Sequence, residues 1–231
     1  MIAIVTFPRS NGDADALHAV RDDLGAPARL VDHRETDLSG LDAVILPGGF
    51  SYGDALRCGA IARFAPVVES VRAFAARGGP VLGICNGFQV LTEAHLLPGA
   101  LRRNATLRFR CHWTHVRVES ASTAWTDTVA PGTVLRLPVA HGEGSYVAGE
   151  ETLREIEAHG QVVFRYSEPD GTLSAASNPN GSAGSIAGVA NRTGNVVGLM
   201  PHPERAVDPL VGGSDGRQIL RGVLERMHVA G

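Results

Sequence analysis

The chain has 231 residues, 44% of them hydrophobic, and a formal net charge of −3. That is enough apolar material for a full core, without the basic excess that would attract nucleic acid or an anionic membrane surface. All 21 positive side chains are arginine, and this excludes a Walker-type phosphate lysine, a Schiff-base lysine and a lysine general base.

The first element in chain order is a β-branched strand from Ile2 to Phe7, followed by a Pro-Arg-Ser-Asn-Gly-Asp loop and a helical pattern from Ala14 to Leu24. A short strand is expected at Arg29 to Asp32. A clearer one, Ala43-Val-Ile-Leu46, stops at Pro47-Gly48-Gly49. Leu56 to Arg77 reads as an Ala-rich helix broken near Pro66, and Gly78-Gly79-Pro80 resets the chain for the strand Val81 to Ile84. Helix-compatible residues follow Cys85 through Ala94. Strands alternating with helices predict an α/β fold with a mostly parallel central sheet covered on both faces, as a single domain over residues 1–231.

After Leu96 the pattern becomes β-rich. Strands are expected at Leu107 to Glu119, Val134 to Ala140, Gln161 to Tyr166, Ser185 to Ala190 and Asn195 to Met200, with a helix over Thr152 to His159 and a terminal one over Gly216 to His228. The Val211-Gly-Gly-Ser-Asp-Gly216 segment is a plain loop and helix cap rather than a phosphate loop. Nowhere is there an apolar run near the roughly 20 residues of a membrane span. Cys58, Cys85 and Cys111 are odd in number and at no metal-ligand spacing, and the Met-Ile-Ala-Ile-Val start has no basic flank. These features predict a cytoplasmic protein with no metal site, in which the Asn-X-Ser/Thr matches at Asn104, Asn180 and Asn191 are coincidental.

Chemistry concentrates at Val-Leu-Gly-Ile-Cys-Asn-Gly, where a strand runs into a turn and a helix with Cys85 at the corner. A strained strand-to-helix turn has no room for bulky neighbours and exposes its central side chain above the sheet, so Gly83 and Gly87 suit a nucleophile at Cys85. The next helix points its free N–H groups toward the sulfur. Ligand sites in parallel sheets form beyond the carboxyl ends of strands, which places the glycine-rich Pro47-Gly-Gly-Phe-Ser-Tyr-Gly-Asp54 loop on the rim that carries Cys85. His202 and Glu204 flank Pro203 just past the last apolar strand. In extended geometry both side chains lie on one side, the arrangement of a base and its orienter in a Cys-His-Glu triad. Such a triad suits acyl transfer from an amide, with the N–H groups of Gly49 and Asn86 as oxyanion donors. His141, between a strand end and Gly142, reads first as a structural hydrogen bonder, with ligand contact or rival base as alternatives.

These residues resemble the class I, triad-type glutamine amidotransferases. The motifs are Pro-Gly-Gly-Phe-Ser-Tyr-Gly-Asp at 47–54, Leu-Arg-Cys-Gly-Ala-Ile-Ala at 56–62, Gly-Ile-Cys-Asn-Gly-Phe-Gln at 83–89, Ala-His-Gly-Glu-Gly at 140–144 and Met-Pro-His-Pro-Glu-Arg-Ala at 200–206. Within that family the Cys-Asn-Gly-Phe-Gln and His-Gly-Glu-Gly forms are similar to glutaminase subunits of purine biosynthesis. The resemblance implies catalytic Cys85, His202 and Glu204, with Gln89, Gly142 and Glu143 beside bound glutamine. It demotes His141 as base. It implies delivery of ammonia to a large synthetase subunit that converts formylglycinamide ribonucleotide, together with a small accessory subunit. No cofactor is implied on this chain, since ATP and Mg²⁺ belong to the synthetase. Ala55 departs from the pattern where the family usually has an aromatic residue. The competing readings are an elbow-cysteine hydrolase or deglycase of the related α/β class and a non-catalytic assembly subunit.

Overall fold

The computed structural model describes residues 1–229. In chain order the strands are β1 (Ile2–Thr6), β2 (Ala28–Asp32), β3 (Ala43–Leu46), β4 (Val81–Ile84), β5 (Ala100–Arg102), β6 (Arg110–Val118), β7 (Val134–His141), β8 (Ser145–Val147), β9 (Val162–Ser167), β10 (Ile186–Ala190) and β11 (Val196–Leu199). The helices are α1 (Asp13–His18), α2 (Pro66–Ala76), α3 (Asn86–Glu93), α4 (Glu150–Ala158) and α5 (Gly216–Val229).

Nine strands form one sheet in the order β2-β1-β3-β4-β11-β10-β9-β6-β7. From β2 to β11 all neighbours are parallel, and from β11 to β7 all are antiparallel. The β-rich additions are therefore continuous with the parallel half, joined edge to edge through β11 and β10. Every residue of β3, β4 and β11 is buried, which requires both faces of the sheet to be covered there. β5 and β8 form a separate antiparallel pair that the sequence reading did not anticipate, because each is only three residues long.

Two expected helices differ from the observed ones. The pattern from Ala14 to Leu24 is α1 followed by a π-helical turn over Ala19–Asp23. The stretch from Leu56 to Ala65 is not α-helical: it holds a short 3-10 turn at Ala62–Phe64, and α2 starts at Pro66, the first-turn position that proline tolerates. Tertiary contacts override its Ala-rich propensity. Gly59 lies directly on the backbone of α3, where an added Cβ would be 2.8 Å from the Gln89 carbonyl carbon, and Arg57 grips Glu93 through two bonds of 2.7 and 2.6 Å. Arg110–Val118 is the observed strand in the Leu107 to Glu119 run, since Leu107 takes a left-handed φ of 56° in the turn before it.

Three adjacent parallel strands, β3, β4 and β11, converge on one rim. The chain after β3 carries Gly48 and Gly49, the chain after β4 is Cys85, and the chain after β11 reaches His202 and Glu204. The loop after β1 braces this rim, with Gly12 N–H donating to Gly48 O at 3.1 Å and Ser10 bridged to Gly49.

The turn between β4 and α3 depends on close approach. A Cβ at Gly87 would stand 1.9 Å from the Leu46 carbonyl oxygen, and one at Gly83 would stand 2.8 Å from Gly87. Helix α3 can thus sit directly on β3 and β4. Gly87→Ala must push α3 off the sheet, and we expect a loss of at least about 3 kcal/mol in urea unfolding, the upper range for core overpacking. Gly132→Ala, where nothing lies within 4 Å, serves as the contrasting glycine substitution, its cost confined to the positive φ of 88°.

Candidate active site

Cys85 occupies φ 49°, ψ −102°, a sparsely populated conformation for a residue with a side chain. Such strain, on the order of 1–3 kcal/mol, persists only where the surroundings over-determine it. Here the Cys85 N–H donates to Leu199 O at 2.8 Å, and the Cys85 carbonyl accepts the Gln89 N–H at 3.1 Å as the first bond of α3. The backbone is held from both sides, and the buried side chain is aimed at the rim.

His202 and Glu204 are both buried, and His202 Nδ1 lies 2.6 Å from Glu204 Oε1. The carboxylate keeps the proton on Nδ1 and leaves Nε2 free of protein partners. Burial alone would lower this imidazole. The Glu204 carboxylate and the Cys85 sulfur outweigh it and push His202 up to about 10. Gly48 separates His202 from Cys85 so closely that a Cβ there would be 2.7 Å from His202 Cε1 and 3.5 Å from Cys85 Cβ. The sulfur itself donates to the Ala140 carbonyl at 3.7 Å.

Asn86 and Gln89, in the first turn of α3, are buried beneath two loops. Asn86 Nδ2 donates to Gln89 Oε1 at 2.9 Å and to Asp54 Oδ1 at 3.3 Å, while its Oδ1 accepts the Ser51 N–H at 3.2 Å. Gln89 Nε2 donates to the Glu143 carbonyl. These bonds tie the loop after β3 to the His-Gly-Glu-Gly segment through α3. A cavity of about 280 Å³ lies between them, lined by Phe50, Asp54, Cys58, Arg103, Gly142 and Glu143 among others. Gly49, at φ 127°, packs its α-carbon against Asn11.

The cavity carries both charge signs. Arg103 Nε is 3.8 Å from Glu143 Oε1, and the Cys58 N–H donates to Glu143 Oε2 at 3.3 Å. Burial, reinforced by Glu143, holds the Asp54 carboxyl above its usual range despite hydrogen bonds from Cys58 and Asn86. Burial also pushes the Cys58 thiol up, beside Asp54 and Glu143. Ala55 is exposed, so the missing aromatic leaves no hole in the loop.

His141 is buried and bonded through Nδ1 to Asn104 Oδ1 at 3.1 Å. The Asn104 amide nitrogen donates to Arg108 O and His141 O, which identifies Oδ1 as the acceptor and His141 Nδ1 as the donor. Burial first, and the nearby His202 second, push His141 down to about 3. It is a neutral imidazole at any working pH, which suits the structural role.

Asn104 also accepts the Gly144 N–H at 3.0 Å, and Asn180 donates to Gly144 O at 2.8 Å and to Tyr166 Oη at 3.2 Å. Both asparagines are fully buried and hold the His-Gly-Glu-Gly segment in place. Sequence reasoning assigned them no role, because nothing local distinguishes a buried asparagine from a surface one. Gly48 was missed as the spacer between Cys85 and His202 for the same reason. Among the described residues no group of three His, Cys, Asp or Glu side chains is arranged to hold a metal ion.

Residues 1–214 match the CobB/CobQ-like glutamine amidotransferase domain. The chain belongs to this family. A phosphoribosylformylglycinamidine synthase subunit PurQ from Thermomicrobium roseum is 63% identical over 222 residues, spanning 96% of this chain and 94% of the relative. The subunit of that name from Gloeobacter violaceus is 58% identical, spanning 96% of each. Among solved structures, a chain in the structure of PurLQS from Thermotoga maritima has 40% identity and a TM-score of 0.87, covering 98% of both chains. The glutaminase domain of a Trypanosoma brucei CTPS, solved with acivicin, shares the fold at 14% identity and a TM-score of 0.59.

Two predictions follow the amidotransferase geometry. Asn104→Ala strands several buried partners, each worth about 1–3 kcal/mol, so unfolding should show a loss of at least about 2 kcal/mol. The KM for glutamine should rise more than kcat falls. The second concerns pH. His202 is protonated to about 10 when folded and 6.5 is its ordinary value, so the Glu204 pairing stabilises fully below about 6.5. That contribution is lost as pH rises through about 10. Urea midpoints of the wild type and Glu204→Gln should be farthest apart near pH 6 and converge toward pH 10.

Proposed function

We propose that this chain is the glutaminase subunit of phosphoribosylformylglycinamidine synthase, hydrolysing glutamine and passing ammonia to a large synthetase subunit with a small accessory subunit. The observation that carries the chemistry is the buried His202–Glu204 pair with a free Nε2 beside a strained, buried Cys85. Near-full-length similarity to PurQ subunits at 63% and 58% identity supports the substrate and the partner.

In this reading the Cys85 sulfur turns from Ala140 O to His202 Nε2 and, with its proton held by the imidazole, attacks the glutamine side-chain carbonyl. The N–H groups of Asn86 and Gly49 receive the oxyanion, each donor contributing about 3–4 kcal/mol to the transition state. Imidazolium Nε2 returns the proton to the departing nitrogen, and ammonia leaves a Cys85 thioester. Water deprotonated by His202 then attacks the thioester, releasing glutamate and restoring the thiol. Glu204 stabilises the imidazolium in both halves.

Glutamine's charged head group fits the cavity between α3 and the His-Gly-Glu-Gly segment. Asp54 and Glu143 would face its ammonium, Arg103 its carboxylate, and Gln89 with Gly142 would fix its backbone. A substrate ammonium relieves the repulsion between Asp54 and Glu143. The chain needs no cofactor for these steps, and ATP and Mg²⁺ are assigned to the synthetase. A catalytic thiol suits the reducing cytoplasm, and no described helix is long and apolar enough to cross a membrane.

The deciding experiment uses the assembled complex. Cys85→Ala should abolish synthesis from glutamine and leave synthesis from ammonium salts within about twofold of wild type, because only ammonia generation passes through the sulfur. Equal loss of both activities would contradict the assignment.

A further inference from the structure

Glu204 is short of partners for a buried carboxylate. Its side chain is fully enclosed, Oε1 is 2.6 Å from His202 Nδ1, and Oε2 is buried without a hydrogen-bond partner. Among the described residues one other cationic group stands against it, Arg205, whose Nε is 3.9 Å from Oε1. The 3-10 turn Pro203–Arg205 puts it there, closing with the Arg205 N–H on the His202 carbonyl at 3.3 Å.

Arg205 does not belong to Glu204 alone. Its Nε donates to Asp15 Oδ2 at 2.9 Å, reaching from the turn after β11 to α1. The residue that precedes α1 is Gly12, whose N–H donates to the carbonyl of Gly48, the spacer between His202 and Cys85. Helix α1 is thus fixed on the same rim, and the guanidinium sits between one exposed and one buried carboxylate. An ion pair with an exposed partner contributes little to folding stability, so the pairing with Asp15 is better explained by where it holds the cation.

The other charged groups facing this turn are engaged elsewhere. His18, Arg21, Asp22 and Asp23 of α1 and its π-helical turn pair among themselves, and Asp208 accepts the Leu210 N–H. From β7, Arg136 bonds the Gly212 carbonyl and His141 is neutral, while Arg217 of α5 bonds the Val207 carbonyl. Asp15, Glu204 and Arg205 line a cleft of about 720 Å³ that shares no residue with the cavity between α3 and the His-Gly-Glu-Gly segment.

We infer that Arg205 is a positioning residue of the catalytic pair: held by Asp15, it balances the Glu204 carboxylate through the part of the cycle in which His202 is neutral. The inference rests on the glutaminase reading, in which the imidazolium gives its Nε2 proton to the departing nitrogen and takes one back from the water that attacks the thioester. Between those transfers Glu204 faces an uncharged ring in a buried site, where an uncompensated carboxylate is costly. The guanidinium is already in place and meets that charge without reorganisation. In the thioester the sulfur carries no charge, so Glu204 is the acid that holds the ring's proton. Removing the Arg205 cation should strengthen that hold, and removing the Asp15 anion should weaken it.

The test follows kcat for glutamine hydrolysis against pH in the assembled complex, because its acid limb reports the neutral His202 needed to hydrolyse the thioester. Arg205→Gln should move that limb to higher pH by about half a unit or more, lowering kcat on the limb about threefold. Asp15→Asn, which keeps an acceptor for the Arg205 Nε, should move it to lower pH. Arg205→Lys, which keeps the charge, should hold it near the wild-type position. KM for glutamine should stay within about twofold in all three variants, since neither residue lines the cavity beside α3. A limb that stays in place in both Arg205→Gln and Asp15→Asn overturns the inference. So do limbs displaced in the same direction, and so does a fall in activity that tracks the urea midpoint without displacement, which makes Arg205 a structural strut. If Arg205→Gln does not fold, the direction of the Asp15→Asn displacement decides. Each of these failures leaves the glutaminase reading intact so long as the wild-type complex hydrolyses glutamine. A wild-type complex that hydrolyses none overturns that reading and the role of Arg205 with it.

Discussion

The structure depends on the contact between Gly87 and the Leu46 carbonyl. Helix α3 can begin immediately after β4 only if its first turn lies against β3 without an intervening side chain, and a single methyl at Gly87 would occupy the volume of the Leu46 oxygen. That contact fixes the left-handed turn at Cys85. It also sets the height of Asn86 and Gln89 above the sheet, and these two amides then determine where the Pro-Gly-Gly and His-Gly-Glu-Gly segments lie. A nucleophile, two loops and a cavity thus follow from one backbone approach.

The catalytic chemistry is built by opposing two large effects. Burial favours neutral groups, and His141 shows the outcome when no counter-charge is present: a neutral imidazole locked by Asn104. His202 is at least as buried, but Glu204 at 2.6 Å and the adjacent sulfur reverse the outcome and favour its charged form. Two histidines near one another are driven in opposite directions, so at neutral pH one ring is charged and the other is not. The division needs no special residue type. It needs a carboxylate beside one ring and an amide beside the other.

Much of this was legible in the sequence. The elbow, the His-Pro-Glu pair and the parallel half of the sheet could be read because each rests on local signals: glycine spacing, a proline, and short runs of β-branched residues ending in loops. The stretch from Leu56 to Ala65 was misread as helix because its conformation is imposed from outside, by Gly59 against α3 and Arg57 against Glu93, contacts 30 or more residues away in sequence. Asn104, Asn180 and Gly48 escaped notice for a related reason. Their importance lies in which distant groups they touch, and an asparagine or glycine looks the same whether its neighbour is water or a catalytic loop. The three-residue strands β5 and β8 are too short for any periodicity to register.

The resting position of the sulfur connects these layers. With Cys85 Sγ donating to Ala140 O at 3.7 Å, the sulfur is anchored to the antiparallel half while His202, whose charged form Glu204 and the sulfur favour, stands beside it. The Ala140 carbonyl belongs to β7, the outer edge of the antiparallel half, and immediately precedes His141 and the segment that lines the cavity. Gly142 and Glu143, which line the cavity, follow closely on the peptide whose carbonyl holds the sulfur. The antiparallel half, continuous with the parallel half through β11 and β10, thus supplies both a wall of the cavity and the acceptor for the sulfur.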